Sequence, residues 1–579
     1  MVGEKREATV ANRVDDALTD LVRGKITRRT FVERMAALGM TAPLIGSLLE
    51  ATAAVAAESP YPVTGDMKEG SGGNLVVGQE SNWDVLDPAL GTGAVTWRTC
   101  LYQIYESLVS RDLDNPQGIG NDVVPRITKS IDQSSDGKTY TFHLQPDLTF
   151  TDGTPLDADA VMWNVERQWD QTKLGRKNPP QFETAAAAVR SWFWDPAQMI
   201  NMTAPDKNTV VFELAKPFSQ FISGMPEAGL GTMGISSPEV WKKSGTAGIA
   251  ATPVGTGPFV FESQVPGDTL VIAKNPKYWN PEHSAKADKI TFKALPDAAT
   301  RVAALRAGEV HVIFAPPAQE LASLKAAGFI ITARTNPHLW YLQLNANEPY
   351  WKDARVRQAF FMSINRAGMA SQLLKDTVLP AVSVNGRSCP SWTDKAGYAN
   401  YDPEGAKKLL ADAGYEKGFD TVFQIPTGGS GEIDPVGMAE WIASDAAKVG
   451  IRIKLQTMEW ISYLHAWASG MPAGIGLNQQ SWGMTSMYWP NLPLRSTSGL
   501  NVGHQPNKQF DALLDEANSA LDQQTAIAKY RAVDMLNARE MWLVPVVNDL
   551  APVVISPKVK GFVHTSDWWW DLKKVWVEG

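Results

Sequence analysis

Three strings close together constrain the fold of this chain more than any other feature: Pro253-Val-Gly-Thr-Gly-Pro-Phe259, Asn275-Pro-Lys-Tyr-Trp279 and Arg301-Val-Ala-Ala-Leu-Arg-Ala-Gly-Glu-Val310. Gly255 and Gly257 permit backbone angles that other residues resist, and Pro258 fixes the exit into Phe259-Val-Phe-Glu262. The Pro266-Gly-Asp turn leads into Thr269-Leu-Val-Ile-Ala273, so the two runs read as a hairpin. Lys289-Ile-Thr-Phe-Lys293 alternates like a half-buried strand. Asp297 caps a helix that Gly308 ends, and Val310-His-Val-Ile-Phe314 resumes a strand. The order predicts a β-α-β crossover beside a hairpin, within the α/β class.

Further strings extend the pattern along the chain. Leu86-Asp-Pro-Ala89 and Tyr105-Glu-Ser-Leu108 come first, followed by Asp136-Gly-Lys-Thr-Tyr-Thr-Phe142, Phe150-Thr-Asp-Gly-Thr-Pro155 and Asp159-Ala-Val161. Asp353-Ala-Arg-Val-Arg-Gln-Ala359 with Ile364-Asn-Arg366, Ala406 to Gly414 and Gly450-Ile-Arg-Ile453 continue it. Together these strings resemble the family 5 extracellular solute-binding proteins of bacterial ABC importers, the oligopeptide-, dipeptide- and nickel-binding group. The resemblance implies a two-lobe periplasmic binding protein (Venus-flytrap) fold of the large cluster with an extra inserted domain. It divides the chain into a main domain of lobe 1 (residues 73–112, 236–312 and 544–579), a small inserted domain (113–235) and lobe 2 (313–543). The lobe crossings are then expected near Val312 and Val544. Gln171 to Met199 departs from the family pattern and reads as a local insertion.

Residues 1–57 read as a twin-arginine signal peptide. Thr27-Arg-Arg-Thr-Phe31 carries the arginine pair, and the apolar run Met35 to Leu49 is shorter than the about 20 residues a membrane span needs. Ala54-Val-Ala56 offers a cleavage site before Ala57, with a periplasmic mature protein expected. The first cysteine is Cys100, which leaves no thiol near that site for a lipid anchor. Cys100 and Cys389 fall in different lobes by the family layout, where a bridge would oppose opening, so two free thiols are expected.

A net charge of −8 argues against a general nucleic-acid or anionic-membrane binder. The seven histidines include no pair at helical metal-ligand spacing, and neither a Gly-x-Ser-x-Gly elbow nor a phosphate-cradling loop is present. No enzyme, cofactor or metal is therefore expected. His311 reads as a strand-end histidine with a satisfied hydrogen bond rather than as a ligand contact.

In peptide-binding relatives a carboxylate shortly after a tryptophan on the second lobe holds the peptide's amino terminus. The matching stretch here is Gln480-Ser-Trp-Gly-Met-Thr-Ser-Met-Tyr-Trp489, with Thr485 in the aspartate's place. From Trp460 to Asn507 there is no Asp or Glu, and Arg495 is the sole formal charge. An ammonium buried without a partner costs several kcal/mol, so this wall favours an uncharged solute. Aromatic rings and amides suit the faces and alcohols of sugars. The expected solute contacts are Asn82, Trp83, Phe314, Trp340, Tyr341, Gln480, Trp482, Thr485 and Tyr488.

The sequence therefore points to the periplasmic component of an ABC importer. It is expected to work as a monomer, to close its lobes on a neutral oligosaccharide or sugar conjugate, and to deliver it to inner-membrane permease subunits. The alternative solute is a short peptide, with an acid from elsewhere, such as Asp84, receiving the terminus. A metal chelate bound through Arg495 is the weaker third reading.

Overall fold

The computed structural model describes residues 34–35, 61–83, 85–90, 100–113, 123–169, 177, 198–226, 234–429, 431–483, 485–567 and 569–579. The twin-arginine motif and cleavage site, most of the 171–199 insertion, Asp84 and Trp568 lie outside them.

The opening strings form the elements expected of them. Phe259–Val265 and Thr269–Lys274 pair antiparallel, and the second strand pairs with Lys289–Ala294. Helix Ala298–Arg306 follows, with the Asp297 carboxylate accepting from Thr300 N at 2.7 Å and Gly308 in the left-handed region beyond its end. Strand Val312–Phe314 then lies parallel to Asn74–Gln79, which is also parallel to Lys289–Ala294.

The two glycines serve a different purpose from the one expected. Neither takes a left-handed φ. A methyl group on Gly255 would stand 2.3 Å from Ile104 O, and one on Gly257 would stand 2.5 Å from Gln103 O. They make room for the turn Tyr102–Ile104, whose Ile104 carbonyl accepts from Gly257 N at 2.8 Å. Glu106 follows immediately and is nearly enclosed. It accepts from Thr256 Oγ1 at 2.9 Å, Tyr278 OH at 2.7 Å and Trp279 Nε1 at 2.7 Å, and pairs with Arg126 at 2.8 Å. One carboxylate thus joins the Tyr105-Glu-Ser, Gly-Thr-Gly and Asn-Pro-Lys-Tyr-Trp strings.

Two large sheets result. The first runs, in spatial order, Ile330–Thr332, Val553–Ile555, Val312–Phe314, Asn74–Gln79, Lys289–Ala294, Thr269–Lys274 and Phe259–Val265. The second runs Val378–Pro380, Leu543–Asp549, Leu339–Leu344, Leu477–Trp482, Phe419–Pro426 and Ile451–Met458. The chain therefore crosses between sheets at 333–338 and at 550–552, later than the expected Val312 and Val544. The reason is packing: Leu321, Leu324 and Ile331 share a core with Val554 and Leu305, which keeps 313–332 with the first sheet. Leu543, Val544 and Val546 are buried in the second core.

A separate four-stranded sheet (Thr128–Gln133, Thr139–Leu144, Thr209–Leu214, Met199–Asp206) has its own core around Phe142, Phe212 and Phe221. This unit touches the second lobe directly. Ser219 N donates to Asn518 O at 2.7 Å, Ser486 Oγ donates to Gln220 Oε1 at 3.2 Å, and Phe218 meets Tyr488 edge-on at 5.6 Å. Both cysteines are buried, with Gln79 Nε2 3.8 Å from the Cys100 sulfur and Ser391 Oγ 3.2 Å from that of Cys389. His311 Nδ1 accepts from Val76 N at 3.0 Å, the satisfied strand-end role expected of it.

Candidate functional site between the two sheets

Both sheets turn one rim toward the crossing segments. On the first, the carboxyl ends of Asn74–Gln79, Lys289–Ala294 and Val312–Phe314 share that rim. Arg301 braces it by donating to the carbonyls of Leu295, Pro296, Phe314 and Ala315. On the second, the carboxyl ends of Phe419–Pro426, Ile451–Met458 and Leu477–Trp482 lie beside the start of Leu339–Leu344. The order 477–482, 419–426, 451–458 makes consecutive connections depart in opposite directions. In open α/β sheets ligands bind outside the carboxyl ends at such a switch point.

The crevice there is visible in the pairing. Strands 419–426 and 477–482 pair only at Phe423↔Leu477 and Gln424↔Asn478, then separate. Tyr463, from helix Trp460–Ala468, fills the split: its hydroxyl accepts from Gln479 N at 3.1 Å and donates to Gln479 O. Gly429 has the Trp460 ring against it, where a methyl group would stand 2.3 Å away.

Glu432 stands in this crevice. Its carboxylate accepts from Trp340 Nε1 at 3.2 Å and from Gln479 Nε2 at 2.8 and 3.1 Å. The residue as a whole is half-buried, but its carboxyl group is enclosed by protein. Desolvation raises its pKa to about 7, against hydrogen bonds from Gln479 and Trp340 that favour the charged form. Gln479 gives its amide nitrogen to Glu432, and its Oε1 has no partner among the described residues. The expectation of a wall without an anionic group is corrected here. The stretch from Trp460 to Asn507 is indeed free of acids, but the strand order brings one from another segment.

The expected contact residues fall into two groups. Asn82 is exposed and Trp83 buried just past the first sheet's rim, and buried Phe314 packs on Trp570 at 4.9 Å. On the second lobe, Trp340 and Tyr341 are adjacent in one strand and so point to opposite faces. Trp340 meets Glu432, whereas buried Tyr341 lies edge-on to Trp489 at 5.7 Å. Half-buried Trp482 also meets Trp489, at 5.0 Å, and Gln480 Oε1 accepts from Ser481 N at 3.1 Å. Thr485 is buried, and half-buried Tyr488 faces the inserted unit. Glu432 was not among the expected contacts. The signal available for Glu432 was an acid in a glycine-rich loop just beyond the strand Phe419–Pro426.

Residues 122–501 match the family described as bacterial extracellular solute-binding proteins, family 5, middle. Heme-binding protein A of Haemophilus influenzae is 27% identical over 496 residues, covering 83% of this chain and 87% of that protein. The dipeptide-binding protein of Escherichia coli is 25% identical over 508 residues, covering 84% and 92%. Among solved structures, the ABC transporter-associated periplasmic binding protein DppA of Helicobacter pylori, in complex with the peptide STSA, has a TM-score of 0.73. It is 24% identical, covering 88% of this chain and 99% of that one. MoaA of A. tumefacien R10, in complex with mannopinic acid, has a TM-score of 0.71 at 22% identity, covering 88% and 100%. These likenesses and the two-sheet architecture agree: the chain belongs to the bacterial extracellular solute-binding proteins, family 5.

Proposed function

We propose that this protein is the periplasmic substrate-binding component of an ABC importer, and that its solute is a short peptide or peptide-like molecule with a protonated amine. Glu432 is the observation that carries the reading. An enclosed carboxylate whose charge is disfavoured by burial gains most from a cationic guest, and Gln479 Oε1 beside it is a second acceptor for an ammonium's donors. The dipeptide-binding relatives favour the same class of solute. The oligosaccharide reading rested on a wall without an anion, and Glu432 removes that premise.

Closure follows the family's two-lobe logic: the solute favours the closed form through contacts with both walls. The Ser219, Gln220 and Phe218 contacts with the second lobe belong to that closed arrangement. Asn82, Trp83, Phe314, Trp340, Gln480, Trp482, Thr485 and Tyr488 remain the proposed lining. Export through the twin-arginine pathway with cleavage between Ala56 and Ala57, and a monomeric mature protein that hands its solute to the permease, complete the proposal.

Thermal shift with free dipeptides, their N-acetylated counterparts and oligosaccharides tests it. A true ligand at a hundredfold excess over Kd adds about 2.7 kcal/mol of stability. Free dipeptides are expected to raise the melting temperature, and N-acetylation to abolish the effect. A shift with sugars and none with peptides overturns the reading.

A further inference from the structure

Across the second sheet from the face that carries Trp340 and Gln479, the second lobe encloses a set of polar side chains that the described residues do not satisfy. Asn385, Ser388 and Asn548 are 0%, 1% and 0% exposed. Both amide atoms of each asparagine, and the serine hydroxyl, have no hydrogen-bond partner among the described residues. A buried amide left in this way is costly, and native proteins keep few of them.

The fold brings the strand and the loop that carry them side by side. Asn548 is paired with Leu379 on one side and Leu339 on the other, and Leu339 is paired with Trp482. Directly paired residues share a face, so the row Leu379, Asn548, Leu339 and Trp482 forms one surface. The loop that leaves Val378–Pro380 folds back over it: Trp489, packed on Trp482, donates its Nε1 to Val384 O at 3.1 Å. Gly386 and Gly483 both press on Pro337, with would-be methyl groups 2.5 and 2.0 Å from its carbonyl oxygen. Asp534 fixes the loop by accepting from Ser383 Oγ, Val384 N and Tyr398 OH. The loop's single charge, Arg387, lies over the Trp392 ring at 4.8 Å.

We propose that Asn385, Ser388 and Asn548 form a subsite for an uncharged polar group of the solute, a carboxamide or a set of hydroxyls. The chemistry of the set decides the class. Two amide nitrogens and two amide oxygens are unpaired together, so an ammonium would face two donors and a carboxylate two acceptors. A group with both donors and acceptors satisfies them all. Sites that must hydrogen-bond their ligand reject the analogue lacking the polar group, because their own groups are then stranded. This inference deepens the importer reading and rests on it for the location of the cleft, but not for the amine.

The test is a set of matched solutes measured by calorimetry: dipeptides with glutamine or norleucine at one position, the same pair as N-acetyl amino acids, and polyols with their deoxy analogues. At least one polar member is expected to bind at least about tenfold more tightly than its apolar match. Asn385→Leu is expected to erase that preference without lowering the melting temperature of the ligand-free protein. Ser388→Ala serves the same purpose if the first variant does not fold. No preference in any series overturns the subsite. So does a variant that keeps the preference while losing stability, since the amides are then structural. Polyols or N-acetyl amino acids that bind where free dipeptides do not would leave the subsite standing and bring down the amine reading.

Discussion

Replacing Glu432 with glutamine separates the carboxyl group's charge from its shape. In the native protein its pKa is raised from the ordinary 4.5 to about 7, chiefly by desolvation. At 1.36 kcal/mol per pKa unit the difference amounts to about 3 kcal/mol. Because the folded state holds this proton more tightly than the unfolded chain, the contribution is fully present below pH 4.5. It is lost as pH rises through about 7. The substituted side chain has nothing to titrate, but its amide nitrogen meets Gln479 Nε2, a mismatch of about 1 kcal/mol. Without solute, Glu432→Gln is therefore expected to be about as stable as wild type near pH 5 and about 2 kcal/mol more stable near pH 8. Urea unfolding across pH 5–8.5 reads the difference directly. The amine-bearing solute that stabilises wild type should lose at least about tenfold in affinity, or about 1.4 kcal/mol. Parallel pH profiles for the two proteins would refute the assignment of an enclosed, reluctantly charged carboxyl group.

Three other outcomes are expected. Glu106→Gln strands the largely buried Arg126 and should cost about 3 kcal/mol in urea unfolding, with solute affinity unchanged in the fraction that folds. Gly257→Ala drives a methyl group into two carbonyl oxygens 2.5 and 2.6 Å away, so about 2–4 kcal/mol should be lost, against a few tenths at exposed Gly499→Ser, where the space is open and φ is not left-handed. Tyr488→Ala removes the edge-on contact with Phe218 and should weaken solute binding several-fold, mainly through a faster off-rate, while the ligand-free melting temperature moves by less than about 2 °C.

What could be read from the sequence was what neighbouring residues determine. The hairpin and the Asp297-capped helix Ala298–Arg306 depend on contacts within a short window, and both formed. The reason given for Gly255 and Gly257 was wrong because the atoms they avoid belong to residues 103–104, remote in sequence. The crossings were misplaced because Ile330–Thr332 is a three-residue edge strand that pairs with Val553–Ile555, a register no local pattern announces. Glu432 was missed for the same kind of reason. Chain order shows only that Trp460 to Asn507 carries no acid, whereas Phe419–Pro426 reaches that wall by lying beside Leu477–Trp482.

The Glu106 cluster has an implication for how relatives of this protein are grouped. Three of the words by which kinship is recognised here are masonry, mortared to one another around a single acid. Lineages can therefore keep that vocabulary intact while exchanging diet altogether, and a shared signature says which machine a chain is without saying what it eats.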